Sequence, residues 1–203
     1  MNLRQIKTNL EGRTGSYLGI KQQSAVLVPL IHVEQDLHML LQVRSEHINS
    51  QPGEISFPGG NTEYGETPKE TAIRETEEEL GLTRDRFQVF GELDYLVTPF
   101  NLLIVPYVGY LDIGLSELRP NPDEVKEVFT IPLSFLQLTS PDVYSVKVAA
   151  SPEKDFPYHL IPEGRDYKFR TGHYPSYFYK YQNYVIWGFT ARILKHFIDL
   201  IAS

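Results

Sequence analysis

The chain of 203 residues contains no cysteine. That absence removes disulfides, thiolate metal sites and a cysteine nucleophile together, and it fits a reducing compartment. A basic surplus is also missing: 26 acidic side chains stand against 19 basic ones, a formal charge of -7. Proteins that grip nucleic acid through its phosphates carry an excess of positive charge. No nucleic-acid partner is therefore expected, whereas one small anionic ligand is compatible with the balance. No run approaches the roughly 18 apolar residues of a membrane span. The opening Met1-Asn2-Leu3-Arg4-Gln5-Ile6-Lys7 has no apolar core of signal-peptide length, and Ile201-Ala202-Ser203 carries no peroxisomal or retention address. The expectation is a cytoplasmic protein without a membrane partner. Repeats, low-complexity tracts and Gly/Ser- or Pro-rich linkers are missing too. We therefore expect a single domain over residues 1–203, with a core at about 22–140 and a C-terminal elaboration with a final helix at about 141–203.

Strand patterns come first in the chain. Ser24–Ile31 and Met39–Arg44 read as β-strands bracketing the turn Glu34-Gln35-Asp36. Residues 45–65 hold Pro52, Gly53, Pro58, Gly59, Gly60 and Gly65 and read as loop. Further strands are expected near 87–97, 102–111 and 124–130, with Pro106 moving the second of these towards an edge or a bulge. Ile186, Phe189, Ile193, Phe197 and Leu200 recur near helical spacing and predict a helix over 186–200. Strands on both sides of a central helix, with another helix at the end, indicate a mixed α/β or α+β domain. From Tyr144 onward lie eight of the 13 tyrosines. They can cover a sheet with amphipathic rings or stack on a heterocyclic base, the cover being the simpler reading.

The central helix carries the chemistry. Thr67-Pro68-Lys69-Glu70 starts it with a capping box and a proline at the first helical position, and Gly81 supplies a left-handed stop. Ala72, Ile73, Thr76 and Leu80 form its apolar stripe. Glu75, Glu78 and Glu79, at i, i+3 and i+4, project from one face. Like charges at these spacings each cost about 0.2–0.5 kcal/mol. Their place near the C-terminal end of the helix dipole adds about 0.3–1 kcal/mol each. A solvated acidic face is one explanation. A divalent cation is the other, since carboxylate oxygens are the natural ligands of Mg²⁺. Residues 66–79 hold six glutamates against Lys69 and Arg74, and so carry -4 of the chain's -7. By helix spacing Arg74 can pair with Glu70 or Glu78. Upstream, Phe57-Pro58-Gly59-Gly60 lets backbone approach a ligand closely, because glycine has no Cβ.

Together Gly60, Glu66, Arg74, Glu75, Thr76, Glu78, Glu79, Gly81 and Leu82 resemble the Nudix box, with Thr76 in place of the usual aliphatic residue. The resemblance implies a Nudix-type mixed β-sheet between helices, here with an aromatic-rich C-terminal extension. It also implies hydrolysis of a nucleoside diphosphate derivative with Mg²⁺ or Mn²⁺. Glu75, Glu78, Glu79 and the Gly59 carbonyl become the expected metal ligands, with Glu75 or Glu78 as the base and Arg74 beside them. Some Nudix enzymes use a base outside the box, for which Glu124 and Glu127 are the candidates, each otherwise a solvated strand-edge charge. Leu40-Leu41-Gln42-Val43-Arg44-Ser45, then Gly53 and Phe57-Pro58-Gly59-Gly60, resemble the motif of Nudix coenzyme A pyrophosphatases, except that Gln42 replaces Thr and Asn49 replaces a second Arg. That Arg could bind the 3′-phosphate of coenzyme A. Lys147, Lys154, Arg165, Lys168 and Arg170 are candidate replacements. Arg44, Ser45 and Gly60 are expected at the substrate, Arg44 as a phosphate ligand or a loop anchor. Val97-Thr98-Pro99 with Ile104–Gly109, and Ile186–Ala191 with Trp187 as helix packing, add to the likeness. The implied substrate is coenzyme A or its thioesters. The alternatives are ADP-ribose or another dinucleotide, or a Nudix-like nucleotide sensor without catalysis. A homodimer through the aromatic C-terminal third is compatible with the sequence.

Overall fold

The computed structural model describes residues 2–202. Its elements, in chain order, are α1 (Leu3–Leu10), β1 (Gln22–Val33), β2 (Asp36–Arg44), β3 (Ile55–Ser56), β4 (Gly59–Asn61), α2 (Pro68–Leu80), β5 (Phe87–Glu92), β6 (Leu96–Val97), β7 (Leu102–Leu111), β8 (Val125–Pro132), α3 (Leu133–Leu138), β9 (Asp142–Ala149), β10 (Thr171–Tyr181), β11 (Tyr184–Ile186) and α4 (Gly188–Ile201). An α+β architecture results: a mixed sheet in which β1 and β7 run parallel and the other pairs antiparallel, with a helix layer on each face.

Alternation along β1 builds both layers. Ala25, Leu27 and Ile31 point to the face that holds Ala72 and Leu80 of α2. Val28 and Leu30 point to the face that holds Ala191, Leu194, Phe197 and Ile198 of α4. This is the period-2 pattern of a strand buried on both sides.

The hairpin β1–β2 opens into a fork. Near the turn the strands pair directly, from Leu30↔Met39 to Val33↔Asp36. Further along they part, and the chain segment 55–61 fills the gap. There β3 pairs with β2 at Gln42↔Ser56, and β4 pairs with β1 at Val26↔Gly59. Between the two zones the Leu27 N–H donates to the Pro58 carbonyl at 2.9 Å. Phe57-Pro58-Gly59-Gly60 is thereby clamped between the two longest strand segments of the N-terminal half.

Several sequence expectations need correction. Residues 45–65, read as loop, contain the short strands β3 and β4. β7 is an interior strand, flanked by β1 on one side and by β5 and β6 on the other, so Pro106 does not mark an edge. In a strand a residue's N–H and C=O point to the same side, and the Pro106 carbonyl accepts from the Leu93 N–H at 2.8 Å. The missing donor therefore falls in the gap between the end of β5 at Glu92 and the start of β6 at Leu96, just past the bulge between Val89 and Gly91 in the β5–β7 pairing, so of the two expected settings the bulge is the one found nearby. The expected helix over 186–200 begins later. Ile186 ends β11, α4 runs from Gly188, and Leu200 is exposed.

The tyrosine-rich segment is a strand. In β10, Tyr177, Tyr179 and Tyr181 alternate towards the core beside α4, and Tyr184 stacks on Phe129 at 3.7 Å. The rings cover the sheet, as the simpler sequence reading holds. The outer partner β9 is exposed along its whole length. Trp187 stacks on Phe178 and is half exposed. It caps the entry of α4 and is not buried within the helix packing.

Thr76 sits fully buried in the α2 stripe, and its hydroxyl donates to the Ala72 carbonyl at 2.6 Å. This back-bond satisfies a hydroxyl that would otherwise be costly in a core. A Thr76→Val exchange removes the hydroxyl and keeps the shape, so it should change stability by no more than about 1 kcal/mol. Thermal melting with an activity assay checks this. Unchanged turnover is expected, because the residue faces the sheet.

Candidate active site

Helix α2 forms as its local sequence dictates. Thr67 accepts from the Glu70 N–H, Glu70 accepts from the Thr67 N–H, and Gly81 closes the helix at φ 65°. A Cβ at Gly81 would overlap the Arg119 carbonyl, so the stop also needs the space. With those ends set, the three glutamates lie at graded depth. Glu79 is buried, Glu75 half-buried and Glu78 exposed.

Glu79 reaches into the strand fork. Its Oε2 accepts from the Gln42 side-chain amide at 2.9 Å and from the Gly59 N–H at 2.9 Å. Burial, opposed by these two donors, raises its pKa to about 7. Glu75 lies against Gly60: a Cβ there would overlap its carboxylate. Burial raises its pKa as well, against the Arg74 hydrogen bond, and the Glu78 and Glu124 carboxylates add to the rise.

Arg74 ties the front of the site. Its guanidinium donates to Glu66 at 2.7 and 3.1 Å, to Glu75 at 2.7 Å, to Glu78 at 3.1 Å and to the Asn61 carbonyl at 3.3 Å. Of the two partners offered by helix spacing it takes Glu78, while Glu70 is used by the capping box. The bond from Arg74 holds the Glu66 pKa down at about 2. Glu66 also accepts from the Thr71 hydroxyl at 3.0 Å and from the Glu63 N–H at 3.1 Å.

The structure sorts the remaining candidates. Glu124, fixed by the Asn121 amide at 3.1 Å, bears electrostatically on Glu75. Glu127 is exposed and accepts from the Tyr184 hydroxyl at 3.4 Å. Ser45 is buried and its N–H donates to the Glu124 carbonyl at 2.8 Å, which links β2 to the Glu124 loop. Arg44 anchors the 45–54 loop through Nε to the Ser50 carbonyl at 3.2 Å, while its charge acts on Glu79. Asn49, Lys147, Lys154, Arg165, Lys168 and Arg170 are all exposed.

Gln42 is the residue that sequence reading undervalues. It stands where the resembling motif has Thr, yet it is fully buried and holds Glu79 from below. Its position on a strand two residues before Arg44, so that both side chains leave the same face, is the available signal. Gln42→Leu keeps volume and removes the donor. We expect about a 10- to 100-fold loss of turnover, the usual range for a residue that orients a ligand, with the fold retained in circular dichroism.

The donor set is all carboxylate and backbone oxygen, which suits a hard divalent cation. Among the described residues no three Asp, Glu or His side chains already stand as a closed cage. Glu75 and Glu78 are bridged by Arg74 instead. Glu75, Glu78 and Glu79, with Gly59 beside Glu79, are the residues that could hold such an ion.

The profile of the NUDIX domain matches residues 21–147. The chain belongs to the Nudix family. Nudix hydrolase 3 of Caenorhabditis elegans is 32% identical over 205 residues, covering 98% of this chain and 82% of that protein. The peroxisomal coenzyme A diphosphatase NUDT7 of Mus musculus is 36% identical over 170 residues, covering 83% of this chain and 66% of that protein. The mitochondrial coenzyme A diphosphatase NUDT8 of Homo sapiens is 32% identical over 198 residues, covering 95% and 75%. Among solved structures, the MutT/nudix family protein from Enterococcus faecalis superposes at a TM-score of 0.51 with 16% identity, over all of this chain and 71% of the other, a likeness of fold. This Nudix protein is thus a pyrophosphohydrolase. Among its described residues no helix is long and apolar enough to cross a membrane.

Proposed function

We propose that this Nudix enzyme hydrolyses the diphosphate of coenzyme A or its thioesters, yielding 3′,5′-adenosine bisphosphate and 4′-phosphopantetheine or its acyl form. The observation that carries this reading is the clamped Phe57-Pro58-Gly59-Gly60 loop bonded to Glu79 together with Gln42. It ties the segment resembling the coenzyme A motif to the Nudix helix in one site. The named activities of the mouse and human relatives point the same way.

The roles follow from position. Glu75, Glu78 and Glu79, with the Gly59 carbonyl, bind Mg²⁺ or Mn²⁺, which supplies charge neutralisation for the diphosphate and acidifies a bound water. Arg74 holds Glu75 and Glu78 in register, and Glu66 fixes Arg74. Gln42 and the Gly59 N–H orient Glu79. Glu75 takes the proton from water, helped by its half-buried, carboxylate-rich surroundings. Glu124, across from Glu75, is the alternative base. Arg44 and Ser45 hold the substrate-side loop in shape, and Gly60 leaves the space in which Glu75 moves. The chain acts as one domain, because α4, in the elaboration beyond residue 141, packs on the same sheet as the Nudix core.

Turnover of coenzyme A, dephospho-coenzyme A and ADP-ribose at equal concentration with Mg²⁺ tests the substrate. Coenzyme A is expected to give the highest kcat/KM. Faster cleavage of ADP-ribose would reject the choice, and binding without cleavage of any would favour a sensor.

A further inference from the structure

Strand β9 is the edge of the three-stranded sheet β11–β10–β9, and among the described residues no strand pairs with its outer side. Its register with β10 runs from Asp142↔Phe178 to Ala149↔Thr171. Every residue of β9 is exposed, Val143, Tyr144, Val146 and Val148 among them. On β10, Thr171, Gly172 and His173 are exposed as well. The distal half of the pair is therefore a two-stranded ribbon covered on neither face. Such a ribbon is marginal in water, and a third strand is what makes it stable. A long apolar edge is also a template for pairing, which proteins otherwise blunt or cover.

The faces of β9 differ in character. Asp142, Tyr144, Val146 and Val148 share one face, and Val143, Ser145, Lys147 and Ala149 the other. Phe178 and Trp187 continue the first: Phe178 meets Tyr144 edge-on at 5.4 Å and stacks on Trp187 at 6.0 Å. A second copy of β9 can add antiparallel about a two-fold axis normal to the sheet. That operation keeps like faces together, so it opposes only residues of the same face.

Charge then selects one register. Centred on Tyr144 or on Ser145, the pairing sets Asp142 against a valine. Centred on Lys147, it sets two like charges directly opposite each other, which is destabilising. Centred on Val146, it matches Tyr144 of one copy with Val148 of the other, Val146 with its own copy, Val143 with Ala149, and Ser145 with Lys147. The apolar face gains an unbroken run of aromatic–β-branched and valine pairs, the favourable kind. Lys147, the cation that would otherwise guard this edge, meets a hydroxyl. The overlap makes about seven backbone hydrogen bonds, within the range of about 5–15 found at specific interfaces.

We propose that β9 is the seam of a homodimer, in which two copies pair antiparallel through β9 about Val146 and join their three-stranded sheets into one. The occupant of the edge is a second copy because the strand is complementary to itself in that register. No residue of the α2 site belongs to the seam, so this inference and the coenzyme A reading stand or fall separately.

Sedimentation of the full chain between about 1 μM and 1 mM tests the seam. Wild type should reach twice the 23.3 kDa of the chain. Val146→Lys and Val146→Glu should each stay at the monomer mass, because each sets like charges opposite one another at the centre of the pairing. Both should keep the circular dichroism of wild type, since Val146 is exposed. An equimolar mixture of the two should recover the dimer. A wild type that is monomeric throughout, a dimer that survives either substitution, or a mixture that stays monomeric would overturn the proposal. The chain contains no cysteine, so an introduced one reads the register. Directly opposed Cβ atoms stand about 4.5–5.5 Å apart, close to the span of a disulfide. Val146→Cys should therefore give a covalent dimer on oxidation. Val143→Cys should not, because the register sets it about 20 Å from its own copy. Any other pattern of cross-linking would overturn the register and the proposal with it.

Discussion

Glu79→Gln should lower turnover by about 10²–10³-fold, the scale of losing one preorganised electrostatic group at a reaction centre, while raising the stability of the metal-free protein. Both signs come from burial. Glu79 lies under the strand fork, and desolvation pushes its pKa up to about 7. A carboxylate whose pKa is raised on folding contributes stability that is fully present below its unfolded value and is lost as pH rises through the folded value. The metal-free wild type should therefore lose melting temperature between about pH 4.5 and 7. The amide oxygen introduced by the substitution can still accept from Gln42 and from the Gly59 N–H, so the variant should fold, and its melting temperature should be flatter over that window. A divalent cation should stabilise wild type more at pH 8 than at pH 6, because it needs the charged carboxylate. Melting curves at several pH values, with and without Mg²⁺, read all of this. Wild-type turnover in the variant would remove Glu79 from the site.

Gly60→Ala and Gly59→Ala should separate chemistry from folding. At Gly60 the added Cβ meets the end of the Glu75 side chain, which can swing away. The expected result is a folded protein, melting within a few degrees of wild type, that has lost about 10²-fold or more in kcat because Glu75 is displaced. At Gly59 the Cβ meets the Ala25 carbonyl and the Val26 backbone, and φ is 154°. Backbone cannot step aside within a paired sheet, so this variant should be destabilised by about 1–3 kcal/mol and should loosen the loop that donates to Glu79. Comparing the two melting temperatures with the two rates decides the matter. Equal melting behaviour, or full activity in Gly60→Ala, would contradict the packing described for the loop.

Helix α2 is legible in the sequence because everything that makes it is local: Thr67, Pro68, Glu70 and Gly81 set the ends, and spacing sets the faces. The acidic cluster is legible for the same reason. What spacing cannot show is depth. Glu75, Glu78 and Glu79 share an arc, yet the fork buries only Glu79, and the fork is a product of pairings between residues 22–44 and 55–61. Gln42 reads as a departure from a motif because its partner, Glu79, is 37 residues away. Glu66, lying in a loop outside helical spacing, shows in the sequence only through the box pattern, which does not reveal that it becomes the chief partner of Arg74. Pro106 misleads because strand propensity knows nothing of a gap between two neighbouring strands. The elaboration is partly legible: alternation of Tyr177, Tyr179 and Tyr181 marks a covered strand, whereas the exposed β9 has no apolar burial to shape its pattern.

The central claim is cation-dependent cleavage of the coenzyme A diphosphate by the α2 carboxylates. Mass spectrometry of coenzyme A incubated with the protein tests it most directly, with Mg²⁺, with Mn²⁺ and with a chelator. The account predicts 3′,5′-adenosine bisphosphate and 4′-phosphopantetheine in equal amounts with either metal, neither product with the chelator, and formation of both slowed by about 10²–10³-fold in Glu79→Gln. Intact coenzyme A in every sample, or products that form equally well with the chelator, would contradict it.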